Sequence, residues 1–469
     1  MSDELWREGA LRLAELIRTG KVSSRDVIEA HLARIDEVNP HVNAVVRVLA
    51  DVARTAADAA DRAIADGEPL GMLHGVPFTV KENIDLAGTP TTSAVVALAE
   101  AIAPIDAPQV ARLRDAGAIP IGRTNLPDLG LRVHTHSSLH GLTRNPWNPH
   151  RTAGGSSGGE AAALATGMSP LGLGNDLGGS LRNPAHCCGI ASIKPSMGSV
   201  PGATVIPPEN MGLAFQLMAV EGVMARRVAD VRAGFNAVAG QHPRDPLSVP
   251  ARFTDVTPGE RVRIAVMAEP PGGSTHPGVA AVVRAAADAL SDAGHDLIEA
   301  TPPDYERALD LWGRLLGVDI RVQKPIIDTI MGEGGATFLT HATNHLPEVD
   351  QSLAVMEHME RYGLARRWSL WHEDFPVLLC PVWTQPAFPH DFDIESFENA
   401  VATLELMRPV LPANLLGTPA AVVPAGMADG LPVGVQVMGW RYTELRCLAI
   451  AEQIEERLGL DTPIDPVTK

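Results

Sequence analysis

Residues 154–180 read GGSSGGEAAALATGMSPLGLGNDLGGS, and this stretch decides the fold and the chemistry that the sequence predicts. It holds two serine clusters, Ser156-Ser157 and Ser180, each next to glycines, with an alanine-rich segment between them. Glycine lets the backbone bend sharply and approach a ligand closely. The small residues before Ser180 also leave successive N–H groups open to a developing oxyanion. The stretch therefore predicts a serine nucleophile beside a backbone oxyanion hole.

Two other interpretations of these glycines are disfavoured by the residues that follow them. A flexible linker would not continue into Glu160-Ala-Ala-Ala-Leu-Ala, which opens a helix, and then into the strand-like run at 171–174. A phosphate-binding loop ends in Lys-Ser or Lys-Thr, but here Gly159-Glu160 stands at that point. An acidic side chain there would repel phosphate.

The composition is that of a soluble globular protein with a large core. Of the 469 residues, 45% are hydrophobic and 20% are charged, and no apolar run approaches the roughly 18 residues that a membrane span requires. No linker divides the chain, so we predict one domain over residues 1–469. The formal charge of −18 argues against nucleic acid or an anionic membrane as a partner, because both bind basic surfaces.

The cysteines and histidines predict neither disulfides nor a metal site. Four scattered cysteines are too few for a disulfide framework, which favours a reducing cytoplasm, and Cys187 and Cys188 lack a pattern that would activate a thiolate. The segment 134–150 contains four histidines but no His-Glu-x-x-His or Cys-x-x-Cys spacing. We expect these histidines to line or border a pocket instead; they are His134, His136, His140 and His150.

Lys81 is the lysine that the sequence singles out. Only five of the 38 basic residues are lysine, so the chain uses arginine wherever a positive charge is enough. Lys81 ends the apolar run Gly75-Val-Pro-Phe-Thr-Val-Lys81, which reads as a buried strand. Buried lysine can lose its proton whereas arginine effectively cannot, so Lys81 is a candidate general base.

Alternating helix and strand patterns predict an α/β fold. Strands are expected at 76–81, 118–122, 262–267, 297–300, 377–380, 420–423 and 433–439, and helices at 4–19, 24–38, 50–66, 107–116, 279–293, 305–316, 351–364 and 443–458. The segment 205–400 is less regular and is expected to form the substrate pocket with its helices. Its aromatic residues favour this, since pockets are mostly apolar; they are Phe338, Trp368, Trp371, Trp383 and Phe388.

Several motifs in the same order and spacing resemble the amidase signature family over nearly the whole chain. They are Gly75–Lys81, Gly122-Arg-Thr-Asn125, Thr143-Arg-Asn-Pro-Trp-Asn-Pro, Gly154–Gly159, Gly174-Asn-Asp-Leu-Gly-Gly-Ser180-Leu-Arg182, Ile193-Lys-Pro and Gly430-Leu-Pro-Val-Gly-Val-Gln. The resemblance implies one α/β/α domain around a large mixed β-sheet. The chain departs from the usual pattern at Asn175, Ser199 and Val223, where Thr, Arg and a Gly-Pro pair are more common.

The resemblance also implies a Ser-cisSer-Lys triad. Ser180 is then the nucleophile, Ser156 is the bridging serine after a cis peptide bond at Gly155, and Lys81 is the base. Serine needs a neighbour that takes its proton, and no motif positions a His-Asp pair for this purpose. The oxyanion would be held by backbone N–H groups; these are Leu177, Gly178, Gly179 and Ser180.

Charged residues around the triad are expected to support it. Asp176 and Arg182 flank Ser180 with opposite charge, which predicts an ion pair that holds the turn. By comparison with the family, Lys194 should be structural.

The predicted function is hydrolysis of carboxylic amides through an acyl-enzyme, with esters, carbamates and hydrazides left open as further substrates. The alternative is the amidase subunit of a tRNA-dependent amidotransferase acting on glutamine, although the second half lacks the Tyr- and Lys-rich stretch typical of that subunit. A non-catalytic binding protein is disfavoured because all three triad positions are intact. No cofactor is implied, a small-molecule amide is the expected partner, and the resemblance leaves a homodimer open.

Overall fold

A central β-sheet with helices on both faces organises the molecule. The computed structural model describes residues 4–206, 210–257 and 259–468, so residues 207–209 and 258 of the predicted pocket segment lie outside the described residues. The strands are β1 (Val45–Val48), β2 (Pro77–Lys81), β3 (Ile119–Thr124), β4 (His136–Ser137), β5 (Gly141–Leu142), β6 (Arg144–Asn145), β7 (Asn148–Thr152), β8 (Leu171–Asp176), β9 (Ala191–Lys194), β10 (Val220–Ala225), β11 (Arg263–Val266), β12 (Asp296–Glu299), β13 (Val377–Pro381), β14 (Ala420–Ala428) and β15 (Leu431–Gly439).

The helices fill the segments between these strands. They are α1 (Ala10–Arg18), α2 (Ser24–Val42), α3 (Ala50–Ala65), α4 (Pro108–Asp115), α5 (Gly158–Ala165), α6 (Arg182–Cys188), α7 (Leu213–Met218), α8 (Val228–Val238), α9 (Pro277–Asp292), α10 (Tyr305–Ile330), α11 (Glu333–His345), α12 (Gln351–Asp374), α13 (Phe392–Glu395), α14 (Phe397–Leu406), α15 (Leu411–Leu416) and α16 (Glu444–Leu458), with short 3₁₀ turns at Leu5–Arg7, Val96–Leu98 and Asp128–Gly130. None of the helices within the described ranges is long and apolar enough to cross a membrane.

The large sheet is mixed, as the family resemblance implies. In the described part of the chain it has eleven strands in the order β1-β3-β2-β8-β10-β9-β14-β15-β13-β11-β12. Strand β2 runs parallel to both β3 and β8, and β13 runs parallel to β11, whereas β8, β10, β9, β14, β15 and β13 pair antiparallel in turn. Lys81 at the end of β2 and Asn175 near the end of β8 therefore come out at the same edge of the sheet.

Both faces of this sheet are buried, which explains its continuous apolar strands. In β13, Val377 and Leu379 pack into one hydrophobic cluster, while Leu378 and Cys380 pack into the cluster on the opposite face. The first cluster includes residues of α1, α4, α8, α9 and α16, and the second includes residues of α2, α5, α6, α10, α12 and α15. Period-two side-chain alternation thus gives a three-layer α/β/α arrangement, and the predicted fold class is confirmed.

The largest differences from the predicted elements lie in helices. The expected helix at 4–19 is a 3₁₀ turn followed by α1, which starts after Gly9, and the helix expected at 305–316 extends to Ile330 through Pro325. The apolar face of α10 continues beyond Leu316, with Ile320 and Ile327 buried, and this packing outweighs the helix-breaking tendency of proline. Strand β10 has no counterpart among the predicted elements.

Candidate active site

Lys81 is the buried centre of a small polar cluster. It is the last residue of β2, it has no exposed surface, and its Nζ lies 2.8 Å from Ser156 Oγ, 3.0 Å from Ser157 Oγ and 2.7 Å from Asn175 Oδ1. A neutral amine has two hydrogens and one lone pair. The three contacts of Lys81 are therefore satisfied when its two N–H groups donate hydrogen bonds and its lone pair accepts a hydrogen bond from one serine hydroxyl.

The surroundings of Lys81 favour this neutral amine. Burial lowers the pKa of Lys81 to about 7, and the nearby acidic groups Glu221, Asp176 and Glu160 oppose that decrease without cancelling it. Burial acts in this direction because taking an ammonium ion out of water is unfavourable. A substantial fraction of Lys81 can therefore accept a proton near neutral pH.

Ser156 is placed by a close approach of two loops. The Gly155–Ser156 peptide bond is cis. A Cβ atom at residue 155 would lie 2.5 Å from the carbonyl carbon of Val133 and 2.7 Å from the backbone nitrogen of His134. Only glycine fits against this neighbouring backbone, so the loop carries Ser156 toward Lys81 only with glycine at 155.

Ser180 lies in the turn between β8 and α6. Its side chain is largely buried and faces the same cavity as Ser156. Two glycines allow this turn: a Cβ at residue 178 would lie 2.7 Å from the Trp312 ring, and Gly179 has a φ of 96°. Both serines that the sequence analysis placed in the triad therefore reach one cavity.

The Asp176–Arg182 ion pair holds this turn. Arg182 Nη2 lies 2.9 Å from Asp176 Oδ1, and both side chains are fully buried. Burial alone would raise the pKa of Asp176, but the charge and hydrogen bonds of Arg182 hold it well below its ordinary value. Asp176 also accepts the backbone N–H groups of Gly179, at 2.8 Å, and Leu181, at 3.1 Å. The pair thus fixes the backbone on both sides of Ser180.

Gly179 differs from the other residues of the predicted oxyanion hole. Its N–H donates a hydrogen bond to Asp176 Oδ1 at 2.8 Å. Within the described chain, no hydrogen bond uses the N–H groups of Leu177, Gly178 or Ser180. Three of the four predicted donors thus have no partner in the described chain, and two of these residues, Leu177 and Ser180, line the cavity.

A second buried acid lies behind Lys81. Glu160, in the first turn of α5, accepts hydrogen bonds from the hydroxyls of Thr79 and Thr124, the latter at 2.7 Å. Burial raises the pKa of Glu160 to about 7, although both hydroxyls oppose the increase. The side chain joins β2, β3 and α5, and so fixes the strand that carries Lys81.

A cavity of about 1130 Å³ opens onto the two serines. Its catalytic end includes Asn175 and Asn83, and aliphatic and aromatic side chains form much of its wall; they are Leu129, Leu131, Phe215, Ile326, Ile327 and Ile330. Its volume exceeds the range of about 300–1,000 Å³ that is usual for small-molecule sites. The site can therefore hold a small molecule together with water.

Comparison with known proteins identifies the family. The model of the family described as Amidase matches residues 26–448, which is most of the chain. The protein belongs to the amidase signature family. It is an amide hydrolase by this membership, and its relatives act on carbon–nitrogen amide bonds.

Individual relatives of this amidase cover the whole fold. The chain is 39% identical over 461 residues to an indoleacetamide hydrolase of Bradyrhizobium diazoefficiens, an alignment that covers 97% of this chain and 87% of the relative. It is 35% identical to a glutamyl-tRNA(Gln) amidotransferase subunit of Acidothermus cellulolyticus, with 98% and 96% covered. The solved structure of 6-aminohexanoate cyclic dimer hydrolase with substrate superposes with a TM-score of 0.84 at 29% identity, with 98% of each chain covered.

The prediction that five aromatic residues form the amidase pocket is wrong. None of the five aromatic residues assigned to it lines the cavity, and Trp368 and Trp383 are instead buried in the core. Their large rings fill space between helices and the sheet, while the cavity wall uses Phe215 of α7 and aliphatic side chains of α10. The pocket does draw on the segment 205–400, but not on the five aromatic residues assigned to it.

None of the four loop histidines lines the cavity. His140 Nε2 lies 2.5 Å from Glu82 Oε2, and His134 and His136 approach Asp391 Oδ1 at 3.5 and 3.2 Å. These last three residues could group around a cation, but Arg132 already donates to the same Asp391 oxygen at 2.8 Å. The positive guanidinium group of Arg132 disfavours a metal ion at this place. The cluster is instead a network of ion pairs and hydrogen bonds around Asp391.

Cysteines and Lys194 take no part in the cavity. Burial raises the pKa of Cys187 and Cys188 far above the ordinary value, which keeps both as thiols. Lys194 Nζ donates to the backbone carbonyls of Thr418, at 2.7 Å, and Pro195, at 3.0 Å. These contacts are those of a structural residue.

Sequence reasoning missed two members of the Lys81 cluster, Ser157 and Asn175. The sequence analysis places Ser157 only in the glycine-rich stretch and notes Asn175 only as a departure from the usual threonine. Asn175 could have been found from its position at the end of a strand, one residue before Asp176. Strand β8 pairs with the strand that carries Lys81, and this places the Asn175 amide beside Lys81.

Proposed function

We propose that this amidase hydrolyses small-molecule amides through an acyl-enzyme on Ser180, with Ser156 and Lys81 as the proton relay. The observation that carries the proposal is the 2.8 Å contact between Lys81 Nζ and Ser156 Oγ at the end of a cavity that also includes Ser180. The low pKa of Lys81 supports it, because the base must be neutral to act.

The proposed acylation begins with neutral Lys81. Its lone pair accepts the Ser156 proton while Ser156 takes the proton of Ser180, and Ser180 Oγ attacks the amide carbonyl carbon. The N–H groups of Leu177, Gly178 and Ser180 would stabilise the oxyanion. The carbon–nitrogen bond then breaks as the relay returns one proton to the departing amine.

Deacylation uses the same groups in reverse order. Water enters the place of the amine, the relay removes its proton, and its oxygen attacks the Ser180 ester. The second tetrahedral intermediate expels Ser180 as its oxygen regains a proton through Ser156, and the carboxylic acid leaves.

The decisive experiment measures kcat/KM for aliphatic and aryl amides, indole-3-acetamide, matched esters, carbamates and glutamine. We expect turnover of some amides in the wild type and none in Ser180→Ala. The matched control is Ser291→Ala, which removes an exposed hydroxyl on α9. Mass spectrometry of the quenched enzyme should find an acyl group on Ser180. Equal activity in Ser180→Ala would exclude this nucleophile.

The alternative function as a glutamine-hydrolysing amidotransferase subunit is supported by the 35% identity to the Acidothermus cellulolyticus protein. The higher identity to indoleacetamide hydrolase favours the free-standing enzyme. Glutaminase activity, or partner subunits that co-purify with the chain, would support the alternative.

A further inference from the structure

Glu221 is an acidic side chain at the catalytic end of the cavity. On β10 it is paired directly with Asn175 of the antiparallel strand β8. Directly opposed residues in such a pair point to the same face of the sheet. Asn175 accepts a hydrogen bond from Lys81 on that face, and Glu221 lines the same cavity as Ser180. The carboxyl group of Glu221 therefore lies beside the proposed catalytic centre.

Within the described residues, no basic side chain forms an ion pair with this carboxyl group. Its Oε2 is buried and has no hydrogen-bond partner within the described residues. The groups that favour its ionised form are the side chains of Lys81, Asn175 and Gln109. Two of these are neutral amides, and Lys81 must itself be neutral when it acts as a base. Glu221 is thus left without a counter-charge in the state that performs the proposed reaction.

The other charged groups around the cavity already have partners. Asp176 is paired with its arginine, Asp245 and Asp319 each accept backbone N–H groups, and Arg244 donates to backbone carbonyls. Acidic side chains outnumber basic ones among the cavity residues. This excess of acidic side chains favours a cationic ligand over an anionic one.

We propose that Glu221 binds a positively charged nitrogen of the substrate, so that amides carrying a protonated amine are the preferred substrate class. This inference rests on the proposed hydrolysis at Ser180. An ammonium group donates hydrogen bonds and supplies the missing charge, and charge-assisted bonds are strong in a buried setting. The apolar wall at Leu129, Phe215 and Ile327 would contact the hydrocarbon chain between the amine and the amide.

The experiment compares 6-aminohexanamide with heptanamide, which has a methyl group in place of the amine and is otherwise the same length. In the wild type we expect kcat/KM for 6-aminohexanamide to be higher by about tenfold or more, the effect of one charge-assisted hydrogen bond. In Glu221→Gln the two substrates should differ by less than about threefold. Glu299→Gln, an exposed glutamate on β12, removes the same charge outside the cavity and should keep the preference.

The wild type offers a test that needs no variant. Burial raises the pKa of Glu221 to about 7; Asp245 adds to the increase, and Lys81, Asn175 and Gln109 oppose it. Below that pH the carboxyl group is protonated and loses its attraction for the ammonium. The preference for 6-aminohexanamide should therefore fall as the pH is lowered from 8 to 5. The ratio of the two substrates cancels the protonation of Lys81, which both reactions share.

Binding separates this inference from the proposed function. Calorimetry on Ser180→Ala measures recognition without hydrolysis, and we expect 6-aminohexanamide to bind at least tenfold more tightly than heptanamide. Ser180→Ala with Glu221→Gln should bind both equally. If no amide is hydrolysed but this difference is found, only the proposed reaction fails. Equal binding to Ser180→Ala, or a preference that persists in Glu221→Gln, overturns the inference.

Discussion

Two buried lysines, Lys81 and Lys194, have the same lowered pKa but different surroundings. Burial lowers the pKa of each to about 7. Lys81 contacts two serine hydroxyls, one of them on Ser156, which lines the cavity, whereas Lys194 donates to two backbone carbonyls in the core. A carbonyl accepts hydrogen bonds but has no proton to give. A low lysine pKa therefore indicates a base only where a proton donor lies in contact with it.

Replacing Lys81 is expected to produce the largest difference between the two lysines. Lys81→Ala should lower kcat/KM for the best amide by about a thousandfold, because Ser156 and Ser180 lose their proton acceptor. Lys21→Ala, which removes an exposed lysine, is the control and should match the wild type. Near wild-type activity in Lys81→Ala, with an unchanged pH profile, would contradict the assigned role.

The pH profile tests whether the neutral form of Lys81 is required. Below pH 7 Lys81 is protonated and cannot accept a proton, so kcat/KM should fall by about tenfold per pH unit. Asn175→Asp places a carboxylate where the amide oxygen now lies 2.7 Å from Nζ, which favours the ammonium form. The acidic limb should move to higher pH by about one unit, with activity recovered near pH 9.

The neutral substitution Asn175→Thr is the matched control for that shift. It keeps the charge at residue 175 at zero, so the acidic limb should stay where it is in the wild type. A limb that moves equally in both variants would mean that packing, not charge, controls Lys81.

Replacing Lys194 should affect stability and leave the chemistry unchanged. Lys194→Met removes the donor to the carbonyls of Thr418 and Pro195, and each buried acceptor left unpaired costs about 1–3 kcal/mol. Urea unfolding should report this loss, while kcat/KM of the folded variant stays within about threefold. A shifted pH profile in Lys194→Met would remove the distinction between the two lysines.

The sequence was sufficient for the parts of the molecule that local patterns determine. Apolar runs predicted strands at 76–81 and 377–380, and β2 and β13 lie there. The glycine spacing singled out Ser156 and Ser180, which line one cavity. Such features depend on residues that are close together in the sequence, so local sequence patterns are enough to predict them.

Long-range contacts explain what the sequence did not predict. Glu221 faces the catalytic end because β10 pairs with β8 some 45 residues earlier in the chain, and no local pattern encodes that register. The prediction of an aromatic pocket was wrong for the same reason. Whether Trp383 lines a cavity or fills the core depends on elements that are distant in the sequence. The donation of the Gly179 N–H to Asp176 depends on the conformation of a single turn.

The anchors of Arg182 have a consequence for the order of protein synthesis. Arg182 donates to Asn414 Oδ1 at 2.6 Å and to the carbonyl of Val410 at 2.8 Å. The ribosome makes these residues more than 220 positions after Arg182. A nascent chain that already carries Lys81, Asp176 and Ser180 still lacks these two anchors of Arg182. The Asp176–Arg182 pair that holds the turn around Ser180 is therefore fully anchored only late in translation, after most of the chain has been made.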